Sequence, residues 1–158
     1  MTNQTVALRD FSAKAKHLVV LGIGNELKGD DAAGILVARA LAKSGASKIV
    51  ALEGHTAPEA MVGKIEKLKP SHVLIVDAAE LGLRPGEWTL VPEAEVDGGF
   101  TSTHHIPLTT IAKRLREVCG CEVAFLGIQC GTREVGAPPS AKVRAAVAEI
   151  CVIAAKAV

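Results

Sequence analysis

A chain of 158 residues, of which 49% are apolar but only 3% aromatic, can build one domain with a core of Val, Ile, Leu and Ala rather than of stacked rings. Its 18 basic and 17 acidic residues are interspersed and leave a net charge of +1, with no basic stripe and no interleaved aromatics, which argues against a nucleic-acid surface. The stretch 1–17 lacks the apolar centre of a secretory signal, no run approaches a membrane span, and four irregularly spaced cysteines make no disulfide framework, so a cytoplasmic protein is expected.

Along the chain, residues 1–16 are weakly patterned and either fray or pack as a short helix. "HLVVLGIG" (17–24) is a continuous apolar run ended by glycine and reads as a buried strand. "AGILVARALAKSG" (33–45) is helical, with Ile35, Leu36, Ala40 and Leu41 at helical spacing and Gly45 as a stop signal. A second strand, "KIVALEG" (48–54), precedes a helix over 57–70 closed by Pro70, and "HVLIVDA" (72–78) is a third strand. After the turn "RPG" (84–86), "EWTLV" (87–91) alternates as an edge strand does. A helix over 107–120 with Pro107 in its first turn, the strand "EVAFLGIQ" (122–129) and a helix over 138–158 complete the chain. Val143, Val147, Ile150, Cys151 and Ala154 share one face of that last helix.

Strands alternating with helices imply a largely parallel sheet covered on both faces. The connection 78–86 is too short for a crossover helix, so 87–91 should run antiparallel. The expected fold is a single-domain three-layer α/β/α sandwich over 1–158, with the patterned part at 17–158 and a mixed, mostly parallel five-stranded sheet.

The loop "GIGNELKGDDAAG" (22–34) is the chemical puzzle. Gly22 and Gly24 mimic a dinucleotide loop, and Glu53 ends the next strand where a ribose-binding acid would sit. The third glycine of that fingerprint, however, falls on Leu27, and Asp30 and Asp31 occupy the place where a pyrophosphate needs bare N–H groups. At an effective dielectric of ~20, like charges ~4 Å apart repel by about 4 kcal/mol. One aspartate, most simply Asp30, can cap the helix, which is worth about 1 kcal/mol. Two adjacent residues cannot share one cap, so Asp31 is left to explain.

Ligands of open α/β sheets bind at the carboxyl ends of the parallel strands. Asp31 follows the first strand, Asp77 ends the third, and His104 precedes a helix that should start at the same edge. Such a set suits a borderline divalent metal, zinc or nickel. Alternatively His105 is the ligand and His104 a cap, and each aspartate has an ordinary role as a turn or cap residue. His55 and Cys130 reach the same edge as possible further ligands, whereas His17 and His72 belong to the opposite one. "CGC" (119–121) reads as a turn with incidental thiols.

With "LIVDAAELGLRPGEWTLV" (74–91), "TSTHHIPL" (101–108) and "FLGIQ" (125–129) beside the G-x-G-N-x-L…D-D motif of the first loop, the chain resembles the NiFe-hydrogenase maturation endopeptidases, in particular the hydrogenase 3 type. The resemblance implies a protease-like domain over 17–158 with a mixed sheet between helices. It further implies cleavage of a C-terminal extension from the hydrogenase large-subunit precursor after nickel insertion. Asp31, Asp77 and His104 would contact nickel, supported by Gly22, Gly24, Asn25, Asp30, Thr103 and Gln129. Ala32 departs from the motif, which usually has glycine after the acids.

No nucleophile–base pair is legible; Ser102 and Thr103 adjoin His104, and neighbours in sequence rarely face each other. Metal-assisted hydrolysis is therefore expected, with nickel supplied by the substrate and zinc able to take its place. Asp31 or Asp77 as general base would give an activity of aspartic type. The rival readings are a non-catalytic nickel-binding chaperone with the same ligands, and a dinucleotide-binding enzyme.

Overall fold

Residues 1–100 and 106–158 are described by a computed structural model. Five strands form one sheet in the order β2-β1-β3-β5-β4: β1 (Leu18–Ile23), β2 (Ile49–His55), β3 (His72–Ala79), β4 (Trp88–Leu90) and β5 (Glu122–Gln129). The first three and β5 are parallel, and β4 runs antiparallel along the edge of β5. The short connection after β3 thus has the consequence expected of it. β4 is shorter than the 87–91 stretch that alternates, and Asp77 lies two residues inside β3 rather than at its end.

Side chains alternate across the sheet and divide the core in two. Val20, Leu74, Val76 and Leu126 face α1 (Asn3–Lys14), α2 (Ala33–Ala42) and α6 (Ala141–Ala157). Val19, Leu21, Val73 and Ile75 face α3 (Val62–Leu68), α4 (Glu93–Gly99) and α5 (Leu108–Cys119). Every β1 side chain is buried, which explains why its sequence is an unbroken apolar run. Among the described residues no helix is long and apolar enough to cross a membrane.

Two helices go beyond what the sequence pattern fixes. Residues 3–14 do not fray: Thr2 caps α1 by accepting from Thr5 N at 3.2 Å, and Leu8, Ser12 and Ala15 are buried against the α2/α6 layer. Only that narrow set faces inward, which is why the pattern is weak. The seven-residue α4 has no legible period because its one fully buried anchor is Val96. It is held instead by tertiary contacts with α5, an Arg116–Glu93 ion pair at 2.8 Å and bonds from Thr109 to the Asp97 carboxylate.

The amino edge of the sheet carries the residues expected there. His17 Nδ1 lies 3.0 Å from Leu68 O, His72 packs edge-on to Phe11, and Cys119 and Cys121 close α5 and lead into β5. At the carboxyl edge, β1 is followed by β2 on one side and its other neighbour is β3, so the order reverses between β1 and β3. In open α/β sheets this switch point is where loops splay apart and ligands bind.

If α1 belongs to the core, Leu8→Ala should lower stability by about 2–5 kcal/mol, the usual cost of a buried leucine. Urea unfolding followed by circular dichroism measures it, and a loss below 1 kcal/mol would mean that α1 is only loosely attached.

Candidate active site

The acidic loop leaves β1 at Gly24 and enters α2 through a 3₁₀ turn over Gly29–Ala32. Strand and helix come close because Gly22 and Gly34 face each other; a Cβ on Gly22 would run into the Gly34 carbonyl. Gly24 has φ +143°, and its own Cβ would strike Asp31 O and stand 3.8 Å from Asp77 Oδ1. The missing side chain at Gly24 therefore lets the Asp31 carbonyl pack against it, with Asp77 of β3 close by. Asp77 is fully buried, and its Oδ1 accepts from Ala78 N at 2.8 Å. Asp31 is 7% exposed. Both aspartates expected at the rim are thus brought to one place.

The loop is not built to receive a phosphate. Gly24 N donates to His55 O, Asn25 N to Asp31 O, Asp30 N to Thr132 O and Asp31 N to Lys28 O, all at 2.8–3.2 Å. Donors that a pyrophosphate would need are engaged within the protein, and the dinucleotide reading loses its physical basis. The Asn25 side chain contributes by accepting from Leu27 N at 2.9 Å, an Asx turn that shapes the loop. Arg39 of α2 pins the loop from outside, bonding Glu26 at 3.1 Å and Glu53 of β2 at 2.5 Å. Hydrogen bonds that Arg39 donates to Glu53 and then to Glu26 hold its guanidinium above its ordinary pKa. Glu53 is a partner of this arginine, a role its sequence position did not reveal.

Asp30 requires a correction. It caps no helix: α2 has no side-chain cap, and the Asp30 carboxylate is fully buried. Its Oδ1 accepts from Ser140 N at 2.6 Å, and its Oδ2 from Gly131 N at 2.8 Å and Ser140 Oγ at 3.1 Å. Ser140 in turn is the N-cap of α6. Asp30 therefore ties the loop after β1 to the loop after β5. Nothing in the sequence connects Ser140 to Asp30. Ala32, the departure from the family motif, sits at φ −75° and is buried, so the turn needs no glycine there.

Thr103 and His104, with Ser102 and His105, lie outside the described residues. Their flanks are well held. Phe100 bridges to Ala79, two residues beyond Asp77, and stacks edge-on with Phe125 at 6.3 Å. On the far side, Pro107 caps α5.

Gln129 has its amide engaged away from the acidic pair. Its Oε1 accepts from Leu81 N at 2.7 Å, and its Nε2 donates to Glu80 Oε2 and Cys130 O, each at 3.0 Å. It supports the loop after β3. Cys130 Sγ donates to Glu80 Oε1 at 3.1 Å. Bonds from Cys130 and Gln129 keep the Glu80 carboxyl below its usual range, with Arg133 adding to the effect. Burial, then the Glu80 carboxylate, pushes the Cys130 thiol up to about 12. His55 is exposed, at φ 50°, and contributes its carbonyl to Gly24 N. Among the described residues no three metal-capable side chains form a cluster.

A three-layer α/β protein with two buried aspartates, and no phosphate cradle, in the region of its switch point is the class that fold and site define. The family described as hydrogenase maturation protease matches residues 35–157, and the chain belongs to that family. It is 40% identical over 112 residues to the hydrogenase 3 maturation protease of Escherichia coli K12, covering 70% of this chain and 71% of that protein. The crystal structure of a NiFe hydrogenase maturation protease from Thermococcus kodakarensis superposes with a TM-score of 0.86 at 31% identity, covering 96% of this chain and 97% of the other. An endopeptidase from E. coli, solved in solution, gives 0.77 at 35% identity over 86% and 87% of the two chains.

Two measurements check this geometry. Asp30→Ala strands buried N–H groups at about 1–3 kcal/mol each, so it should cost about 2–4 kcal/mol in urea unfolding and reduce activity by releasing the Asp31 loop. A loss within the 0.5–2 kcal/mol range of a simple cap would restore the capping role. Separately, a Cys130 thiol with a pKa of about 12 should resist a thiol reagent at neutral pH until the protein is unfolded; rapid labelling of the native protein at this position, seen by peptide mapping, would contradict it.

Proposed function

We propose that the protein is a cytoplasmic endopeptidase that removes the C-terminal extension of a NiFe-hydrogenase large-subunit precursor once nickel has been inserted. The observation that supports this reading is that the Asp31 backbone packs against Gly24 with Asp77 Oδ1 close by, so that two nearly or fully buried aspartates come from the loop and from β3 to the same end of the sheet. A carboxylate pair in a confined site fits a divalent cation. His104, named with them on the strength of the family motif, completes the ligand set in this proposal.

Nickel here is part of the substrate, bound within the precursor. Asp31 and Asp77 bind at it and so orient the adjoining polypeptide, while the absent side chain at Gly24 lets the Asp31 loop pack close to β3. Held in this way, a metal ion polarises a scissile carbonyl or lowers the pKa of an attacking water. Asp30 keeps the Asp31 loop in place throughout. Should the chain carry its own ion instead, zinc would fit the same donors.

Asp31→Asn and Asp77→Asn, each nearly isosteric, should abolish processing of purified nickel-loaded precursor while leaving the melting temperature close to wild type. Cleavage is followed by the size shift of the large subunit. Nickel-free precursor should remain uncut. Equal cleavage of both forms would show an enzyme that carries its own ion, and binding without cleavage by the wild type would favour a nickel-site chaperone. Near wild-type processing by either variant would remove that aspartate from the site.

A further inference from the structure

We propose that the loops framing the acidic pair carry an apolar docking surface, built on Leu27 and Val135, that seats an apolar segment of the substrate polypeptide beside the site. This rests on the reading of the chain as an endopeptidase and extends it to how the substrate is recognised.

Six large hydrophobic side chains are exposed among the described residues, and four of them, Leu27, Leu83, Ile106 and Val135, lie on connections at the carboxyl edge of the sheet. The other two are Met1 and Val152 of α6. Single exposed apolar residues are ordinary; here four of the six share one edge of the sheet. Leu27 and Val135 are the most open of the four, at 69% and 78%, and neither belongs to a core cluster. Leu27 is also part of the motif that carries the family resemblance, yet it does nothing for the fold that a polar residue would not do.

The backbones of the two loops are tied together. Gly136 N donates to Leu27 O at 2.8 Å, which sets Val135 next to Leu27, and Leu27 N is fixed by Asn25 Oδ1. Gly29 N to Ala137 O and Asp30 N to Thr132 O continue the same ladder toward Asp31. A preordered surface loses little conformational freedom on binding. Charge nearby is largely cancelled within the protein: Glu26 pairs with Arg39, Glu80 with Arg133 and Glu87 with Arg84. Lys28 and Glu134, beside the two apolar residues in sequence, are of opposite sign. The edge therefore favours an apolar segment over a strongly acidic or basic one. A second copy of this chain is a poorer occupant, since a few separate side chains fall far short of the ~800 Å² per partner of a standard interface. A peptide held at the acidic pair needs only supplementary contact.

The test compares wild type, the double variant Leu27→Gln/Val135→Gln, and Val152→Gln as an exposed apolar control away from the edge. Processing of purified nickel-loaded precursor gives KM and kcat, and surface plasmon resonance gives Kd for the same precursor whether or not it is cut. The double variant should raise KM and Kd about tenfold, equivalent to about 1.4 kcal/mol, with kcat within about twofold and an unchanged melting temperature; Val152→Gln should match wild type. Unchanged KM and Kd in the double variant would overturn the proposal, as would an equal loss in the control. A wild-type dimer dissociated by the double substitution without a change in KM or Kd would assign the surface to a second copy and also overturn it. If the wild type binds precursor without cutting it and the double variant binds about tenfold more weakly, the docking surface stands and the endopeptidase reading fails. If the wild type cuts and the double variant binds equally well, the reverse holds. If the wild type neither binds nor cuts, both fail.

Discussion

The buried carboxylate of Asp30 is the constraint around which the site is assembled. Moving a carboxylate out of water costs several kcal/mol, and the cost is offset only by well-directed hydrogen bonds. Here those bonds come from Gly131 and Ser140, more than a hundred positions along the chain. The loop after β1 can therefore bury its first aspartate only when β5 and α6 are already beside it. Ser140 is at the start of α6, where the helix dipole also favours a negative charge. Once that junction has formed, the second aspartate has little freedom left, and the backbone ladder that runs from Asp30 to Leu27 follows from the same contact.

A common architecture thus supports a different chemistry. The glycine-rich turn between a first strand and its helix exists in phosphate-binding sheets for close approach and free N–H groups. This protein keeps the close approach, in the Gly22–Gly34 and Gly24–Asp31 contacts, but uses its N–H groups internally. In the proposed site, acidic side chains take the place of backbone donors, which would reverse the sign of the site without any change in the arrangement of strands and helices.

The stabilising contacts divide similarly. The core on either face of the sheet is aliphatic and redundant, and many of its positions could exchange one hydrophobe for another of like volume. The carboxyl edge is held instead by a few specific polar ties: Asp30 with Ser140, Arg39 with Glu26 and Glu53, Gln129 with Glu80 and Leu81. Each directs a loop rather than adding bulk stability. Such ties depend on donor geometry and tolerate substitution poorly.

The amino-acid sequence alone determined the layers, the strand types and the edge at which chemistry occurs. Those properties follow from short-range pattern: β1 is an unbroken apolar run because both its faces are covered, and the connection after β3 is too short to cross over. It also singled out Asp31 and Asp77 as candidates, because they follow or end parallel strands at one edge, although each taken alone reads as a turn or cap residue. What it left undecided were contacts between residues far apart in the chain. Asp30 reads locally as a helix cap, and only the packing of α6 beside the loop turns it into a clamp. The α1 helix and the seven-residue α4 are invisible as pattern because each buries too few residues to make a period, and their neighbours supply the order. Glu53, Gln129 and Leu27 likewise acquire their roles from partners or exposure that no local period encodes. Local periodicity is written into consecutive residues, whereas polar partnership is decided by where the folded chain brings distant ones together.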